Sequence, residues 1–494
     1  MGADDETTIT PEREATVLDW APAGIWLGGR ETELDTTLKV EDPATGGVLK
    51  EISAAEPAQA IAAMDLAAQT QASWAGTTPR ERGEILRRAY ELLIEHVDEL
   101  ALLMTLEMGK TVAESKGEVT YAAEFFRWFA EEAPRIDGGY MRNPVAGGRL
   151  LVMRQPVGPC YLITPWNFPL AMGTRKIGPA LAAGCTVIIK PATLTPLSML
   201  ALGKLLGEAG LPEGVLSVLP TSSSKSLTEP IITDPRLRKV SFTGSTAVGK
   251  VLLKQAADQV LRTSMELGGN APLIVFDDAD LETAVDGTMT AKMRNIGEAC
   301  TAANRIYVHS DIAEEYSRRL AERMGALKVG RGTEPDVDVG PLIERTAREG
   351  VGEMVDDAVK SGADVLTGGN VVEGPGWFYE PTVLTGVDAG STIVREEIFG
   401  PVAAIQTFTT DDEVIALANS TEYGLVGYVF TEGLHRGIKV AEALEFGMVG
   451  LNSGLVSNPA APFGGVKQSG LGREGGFTGI DEYLEHKLVF VPER

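Results

Sequence analysis

This chain is poor in the residues that most often mark chemistry. Its 494 residues include three cysteines and four histidines. The cysteines stand at 160, 185 and 300 and cannot build a disulfide framework. No C-x-x-C pair is present, and no metal site is expected. His96, His309, His435 and His486 all lie outside loops marked by glycine or proline. This speaks against a Cys–His hydrolase, whose thiol needs an imidazole base. No apolar run approaches the roughly 18 residues of a membrane span. The opening MGADDETTITPEREATVLDW has no apolar h-region, so a secretory signal is not expected. Positive charge is also scarce. Lys and Arg number 44 against 69 Asp and Glu, for a net charge of −25. A field of that sign repels phosphate backbones and anionic membranes, so neither nucleic acid nor membrane is expected as a partner. Free cysteines and no targeting segment point to the cytoplasm. The 56 glycines and 27 prolines are dispersed, which excludes low-complexity linkers.

The chain is too long for one core and suggests two to four units at ~100–200 residues each. Residues 56–75, 79–110 and 111–133 carry apolar side chains at helical spacing, with Pro79 suited to a first turn and Pro134 to a stop. From about 150 the grammar changes. Short apolar runs such as PCYLITPW, CTVIIK, KVSFTG, LRTSMEL and APLIVFDDAD alternate with helical segments. Such alternation predicts largely parallel sheets covered by helices on both faces. It restarts after 270 as a second α/β unit.

Two glycine patterns compete for a nucleotide. GLGREG (470–475) has the letters of a dinucleotide loop, but it follows a polar loop near the C-terminus and reads as a tight surface turn. KVSFTGSTAVGKV (239–251) runs strand, turn, helix, and a helix start fed by a strand presents free N–H groups to a phosphate. Read as a phosphate loop for phosphotransfer it lacks the final Ser or Thr, because Val251 stands there. An ordinary capped helix is the plainer alternative.

Cys300 sits in NIGEACTAANR among small and polar neighbours, which gives it the access a nucleophile needs. A small residue in a turn is the bland alternative. Glu266 in MELGGN ends an expected strand and is either a base or half of an ion pair. Asn167 in PWNFP is held between two prolines, where its amide is either a fixed donor or a turn former.

Taken together the motifs resemble the aldehyde dehydrogenase superfamily from about 25 to 490. PWNFP, KPA (190–192), FTGSTAVG (242–249), MELGGN, GEAC (297–300), EEIFGP (396–401) and PFGG (462–465) occur in that family's order. Within it the likeness is nearest to the succinate-semialdehyde dehydrogenases, carried by MTLEMGK, ESKGEVTYAAEFFRWFAEE, TRKIGPALAAGC, ELGGNAPLIVFDDADL and VSNPAAPFGGVKQSGLGREGG. The resemblance implies an α/β fold of two Rossmann-like domains plus an oligomerisation β-hairpin. Residues 1–137 and 157–268 would bind the cofactor, 269–478 would form the catalytic domain, and 138–156 with 479–494 would join subunits into a dimer or tetramer.

It implies Cys300 as nucleophile, Asn167 as oxyanion donor, Glu266 as base for hydrolysis, and Lys176 as an aid to lowering the thiol pKa. NADP or NAD would lie against Thr164, Trp166, Lys190, Thr193, Gly244, Ser245, Leu267, Glu397 and Phe399. Thr193 replaces the Glu that NAD-selective relatives often carry, so NADP is expected to be accepted and preferred. Arg175, Arg294 and Ser457, with Phe168, would grip the far carboxylate of a short aldehyde, since arginine's fork matches a carboxylate. Glutarate semialdehyde or a neutral aldehyde, and in another class a phosphotransferase built on GSTAVGK, are the alternatives. Three departures stand out: Glu298 two before the nucleophile, where its charge either raises the thiol pKa or points away; Ala302 in place of a switch cysteine; and serines in LPTSSSKS (219–226), where relatives carry glycine.

Overall fold

The computed structural model describes residues 9–493. Residues 1–8 and 494, which the expected cofactor-binding and oligomerisation segments include, lie outside the described residues.

Two open sheets dominate. The first has eight strands. Five of them are parallel neighbours, in the order Arg262–Glu266, Lys239–Thr243, Cys160–Ile163, Val187–Lys190, Leu216–Val218. Every residue of the middle four strands from 160 to 243 is buried, as a sheet covered on both faces requires. Antiparallel strands guard both edges: Ile25–Leu27 with Arg30–Thr32 on one side, Gly470–Leu471 on the other. The second sheet has seven strands, begins at Ala271–Val275 and is parallel except at its Asp364–Thr367 edge.

The helical first third agrees with the apolar spacing, with one difference. The run 79–110 is two helices, Pro79–Glu95 and Val97–Met108. Thr78 and Glu81 form a reciprocal cap at the start of the first. At His96 the backbone leaves helical geometry (φ −99°, ψ 26°). The break lets the first helix stay amphipathic while Leu100–Met108 is buried throughout. Gly109, left-handed at φ 99°, ends the second.

Gly139–Arg142, Gly148–Pro156 and Leu484–Pro492 form a separate three-stranded sheet. It leaves Tyr140, Met141, Leu488 and Phe490 exposed.

The reading of GLGREG as a surface turn is corrected. Gly470–Leu471 is an edge strand whose register pairs Gly470 with Glu266, and Glu474 just beyond it is buried. Lys250 of the GSTAVGK stretch is exposed, and its Nζ donates to Gln468 Oε1 at 2.6 Å.

The parallel strands of the first sheet deliver their C-terminal ends to one place. Thr164, Lys190, Gly244 and Glu266 each end or follow such a strand. A crevice at the carboxyl ends of parallel strands is where open α/β sheets bind ligands.

Candidate active site

The nucleophile loop is held in unusual backbone geometry. The helix Leu281–Met293 ends, and Asn295, Ile296 and Gly297 then take left-handed φ values of 57°, 62° and 78°. For a β-branched residue such as Ile296 this costs of order 1–3 kcal/mol and persists only where the surroundings enforce it. Asn295 supplies part of that enforcement. Its N–H donates to Glu114 Oε1 at 2.6 Å, and its amide donates to Asn167 O and Glu298 O. Opposite, a Cβ on Gly269 would lie 2.6 Å from Cys300 O, so the second glycine of MELGGN lets the Glu266 strand end against this loop.

Cys300, Asn167 and Glu266 line one cavity of about 250 Å³, together with Trp166, Gly244, Ser245, Leu267, Glu397 and Phe399. Asn167 is fixed through both its backbone and its amide. Lys110 Nζ donates to its carbonyl at 2.9 Å, and its amide donates to Glu298 O at 2.9 Å. The other amide hydrogen remains for the cavity.

Glu298 points away from the thiol: its Oε1 accepts from Ile343 N–H, and burial holds its carboxyl well above the usual range.

The charges differ from the expectation of a lowered thiol pKa. Burial pushes Cys300 up to about 12; Arg175 and Arg294 act to lower it, while Glu397 and Glu266 add to the rise. Lys176 is not positioned to help. It is wholly buried, paired with Glu474, and hydrogen-bonded to Ser241 at 2.9 Å. Arg175 Nε meets Glu474 at 2.6 Å, and its guanidinium lies 4.1 Å from the Phe463 ring centre. Burial alone would raise Glu474, but Lys176 and Arg175 outweigh it and hold the carboxyl low. Glu266 is opposite in character. Burial, then the Glu474 charge, raise it well above the carboxylate range, and its Oε2 has no partner.

A second cavity of about 310 Å³ opens beyond Asn167–Phe168. Phe168, Arg294, Ser457 and Tyr121 line it; Arg175 does not, being held behind it by Glu474. Arg294 stacks over Phe168 at 5.1 Å and makes no ion pair among the described residues.

A third cavity, about 670 Å³, continues the first past Trp166, Gly244 and Ser245, and is lined further on by Thr164, Lys190 and Thr193. The elongated cleft fits a dinucleotide. It is polar where it should be, because the Thr164 and Thr243 hydroxyls are buried without partners. Trp166 and Phe399 pack edge to face at 5.4 Å. Burial raises Glu397 to about 8 although Gly269 N–H and Lys292 oppose it. Lys190 Nζ donates to Pro191 O at 3.0 Å, and Thr193 Oγ1 to Thr221 O at 2.9 Å.

Sequence reasoning missed Glu474, Tyr121 and Lys292. The last is a buried amine without a hydrogen-bond partner, which burial lowers to about 7 with Glu397 opposing. Only Lys292 carried a local signal, as a cation eight positions before the nucleophile on the buried face of a helix otherwise lined by Ala284, Val285, Thr288 and Ala291.

The profile of the Aldehyde dehydrogenase family matches residues 30–489. Succinate-semialdehyde dehydrogenase of Paenarthrobacter nicotinovorans is 56% identical over 446 residues, covering 90% of this chain and 99% of that protein. Glutarate-semialdehyde dehydrogenase of Pseudomonas putida is 48% identical over 468 residues, covering 95% and 96%. An Escherichia coli succinate-semialdehyde dehydrogenase whose name specifies NADP(+) is 46% identical, covering 95% and 96%. The crystal structure of succinate-semialdehyde dehydrogenase from Burkholderia pseudomallei is similar at a TM-score of 0.95 and 46% identity, covering 99% of this chain and 100% of that one.

Proposed function

Since the chain belongs to the aldehyde dehydrogenase family and is an NAD(P)-dependent oxidoreductase, we propose that it oxidises succinate semialdehyde to succinate and prefers NADP. The observation that carries the substrate is the cavity beyond Asn167–Phe168. It brings together Arg294, which has no ion-pair partner among the described residues, and a hydroxyl, Ser457, next to the Asn167–Phe168 segment whose Asn167 lines the thiol cavity.

The residues divide the work. The thiol of Cys300 loses its proton to solvent, with the Arg175 and Arg294 charges favouring the thiolate, which leaves the Glu266 carboxylate unprotonated for the hydrolytic step. The thiolate adds to the aldehyde carbon, and the Asn167 amide donates to the oxygen that becomes negative. When bound, the nicotinamide supplies an acceptor for the hydride leaving that carbon. The Cys300 thioester is then hydrolysed by water whose proton passes to Glu266 and on to the departing sulfur, releasing the acid and the thiol and returning Glu266 to its carboxylate form. Trp166, Gly244, Ser245, Leu267, Glu397 and Phe399 would hold the nicotinamide half of the cofactor. Thr164, Lys190 and Thr193 would hold the adenosine half.

Glutarate semialdehyde is the second reading, favoured by the 48% identical relative of that name. An aldehyde panel run with both cofactors separates the two. A higher kcat/KM for glutarate semialdehyde, or a tenfold preference for NAD, overturns the corresponding half of the proposal.

The cytoplasm is the proposed location: all three cysteines are free, and among the described residues no helix is long and apolar enough to cross a membrane. The exposed Leu488 and Phe490 on the three-stranded sheet support a homo-oligomer, dimer or tetramer, joined through that sheet.

A further inference from the structure

Two stretches of the sequence, MTLEMGK (104–110) and ESKGEVTYAAEFFRWFAEE (114–132), contribute nothing to the cavity that holds Cys300. They place a buried ion pair behind it. Lys110 follows the helix Val97–Met108, and Glu118 lies in the second turn of the helix Val112–Glu132. Their charged ends meet at 2.6 Å, with both side chains 1% exposed. Burial strips both charges of water, so such a pair gains little over apolar residues of the same volume. Its other contacts say what it does.

Those contacts converge on one short segment. Glu118 Oε1 accepts from Leu170 N–H and Ala171 N–H, both at 3.0 Å. The helix Ala171–Ala183 begins there without a side-chain cap of its own, so this carboxylate caps it from a neighbouring helix. Through Oε2 the same carboxylate orients Lys110, whose Nζ donates to Asn167 O at 2.9 Å. Glu118 therefore holds residues 167–171 at both ends, directly at one and through the lysine at the other. Asn295 makes the second bond to Asn167 O, at 3.0 Å, and Glu114, one turn before Glu118, accepts from Asn295 N–H. One face of one helix thus sets the segment of Asn167 and the loop of Cys300 against each other.

We propose that Glu118, acting through Lys110, is a positioning residue for the Asn167 amide, and that the amide needs it to meet the developing oxyanion. The proposal rests on the reading of Asn167 as the oxyanion donor. Neither Glu118 nor Lys110 lines the cavity of the thiol. Without Lys110 the Asn167 carbonyl keeps its bond from Asn295, so the segment stays in place and tilts.

Hydrolysis of p-nitrophenyl acetate tests this on the full chain. That acyl transfer needs the thiol, the oxyanion donor and Glu266, but no hydride acceptor and no distal carboxylate. Lys110→Met combined with Glu118→Gln removes both charges together and strands neither, and the glutamine carbonyl still accepts from the two N–H groups. The combined variant should lower kcat for the ester about 10- to 100-fold, the effect of a donor displaced by a fraction of an ångström. In an Asn167→Ala background the same pair should change kcat less than twofold, because no donor remains to be displaced. A purely structural role would lower both backgrounds alike. Glu118→Asp, which keeps both charges and shortens the reach, goes through the same cycle and should show a smaller loss with the same dependence on Asn167; it carries the test if the combined variant does not fold. An equal loss in both backgrounds, or no loss with Asn167 present, overturns the proposal alone. Hydrolysis at the native rate by Asn167→Ala overturns the reading of Asn167 and the proposal with it.

Discussion

Replacing Arg294 with Ala separates substrate recognition from chemistry. The guanidinium acts twice in this structure. It lines the cavity proposed for the distal carboxylate, and it is one of two cations that lower the Cys300 thiol. For the first role the magnitude follows from the lost hydrogen bonds. Those to a charged group contribute about 1.5–3 kcal/mol, so kcat/KM for succinate semialdehyde should fall roughly 10- to 150-fold, mostly through KM. Propanal has no carboxylate and should keep its KM. For the second role the sign is fixed. Removing a cation that favours the thiolate raises the thiol pKa, so the acid limb of the rate profile moves to higher pH for every aldehyde.

Two substrates and a pH series therefore resolve the two effects. The KM change is confined to the charged aldehyde, while the pH shift is shared. Arg294→Lys should restore most of the pH profile, because the charge returns. It should restore less of the KM, because a point charge lacks the fork. Steady-state rates followed by reduced-cofactor absorbance suffice. Equal losses of kcat/KM for propanal and succinate semialdehyde at the pH optimum would refute the assignment of the cavity to a carboxylate.

Four other outcomes follow from named contacts. Cys300→Ser should abolish oxidation by at least about a thousandfold, since a hydroxyl lacks an accessible anion in this site; a native rate measured at high enzyme concentration would remove the sulfur from the mechanism. Glu266 is raised by burial and Glu474, so its active ionised form is lost as pH falls through that elevated value. Glu266→Gln should erase that limb and accumulate acyl-enzyme, seen as a burst without steady turnover in rapid-mixing kinetics. Lys110 and Glu118 pair at 2.6 Å with both side chains buried. Lys110→Met strands a carboxylate at a cost of about 3–5 kcal/mol and should lower the melting temperature by several degrees in calorimetry. Phe490→Asp on the exposed strand should reduce the mass measured by light scattering to that of a monomer if that sheet joins subunits; an unchanged oligomer would place the contact elsewhere.

The parts of this site that could be read from the sequence share one property: each is written within a few residues of a strand end. PWNFP, KPA, FTGS and MELGGN follow strands that alternate with helices, so the pattern that reveals the sheet also reveals which residues reach its carboxyl edge. The small residues around Cys300 likewise gave access correctly, because access depends on immediate neighbours. Charge does not. Glu474 acts on Lys176 from 298 positions away, across an edge strand of two residues that carries no periodicity. Nothing in GLGREGG distinguishes that carboxylate from one in a solvated turn. Lys176 was accordingly credited with helping the thiol, when its charge is already taken. Arg175 was placed on the substrate wall, when Glu474 holds it behind that wall. The elevated thiol has the same origin. Burial comes from closing the cleft, and the carboxylates that add to it come from the Glu266 strand of the first sheet and the Glu397 loop of the second. Protonation in this site is therefore a property of the assembled cleft. Any account of its pH dependence has to begin with which cations Glu474 occupies and which, such as Arg294, it leaves free.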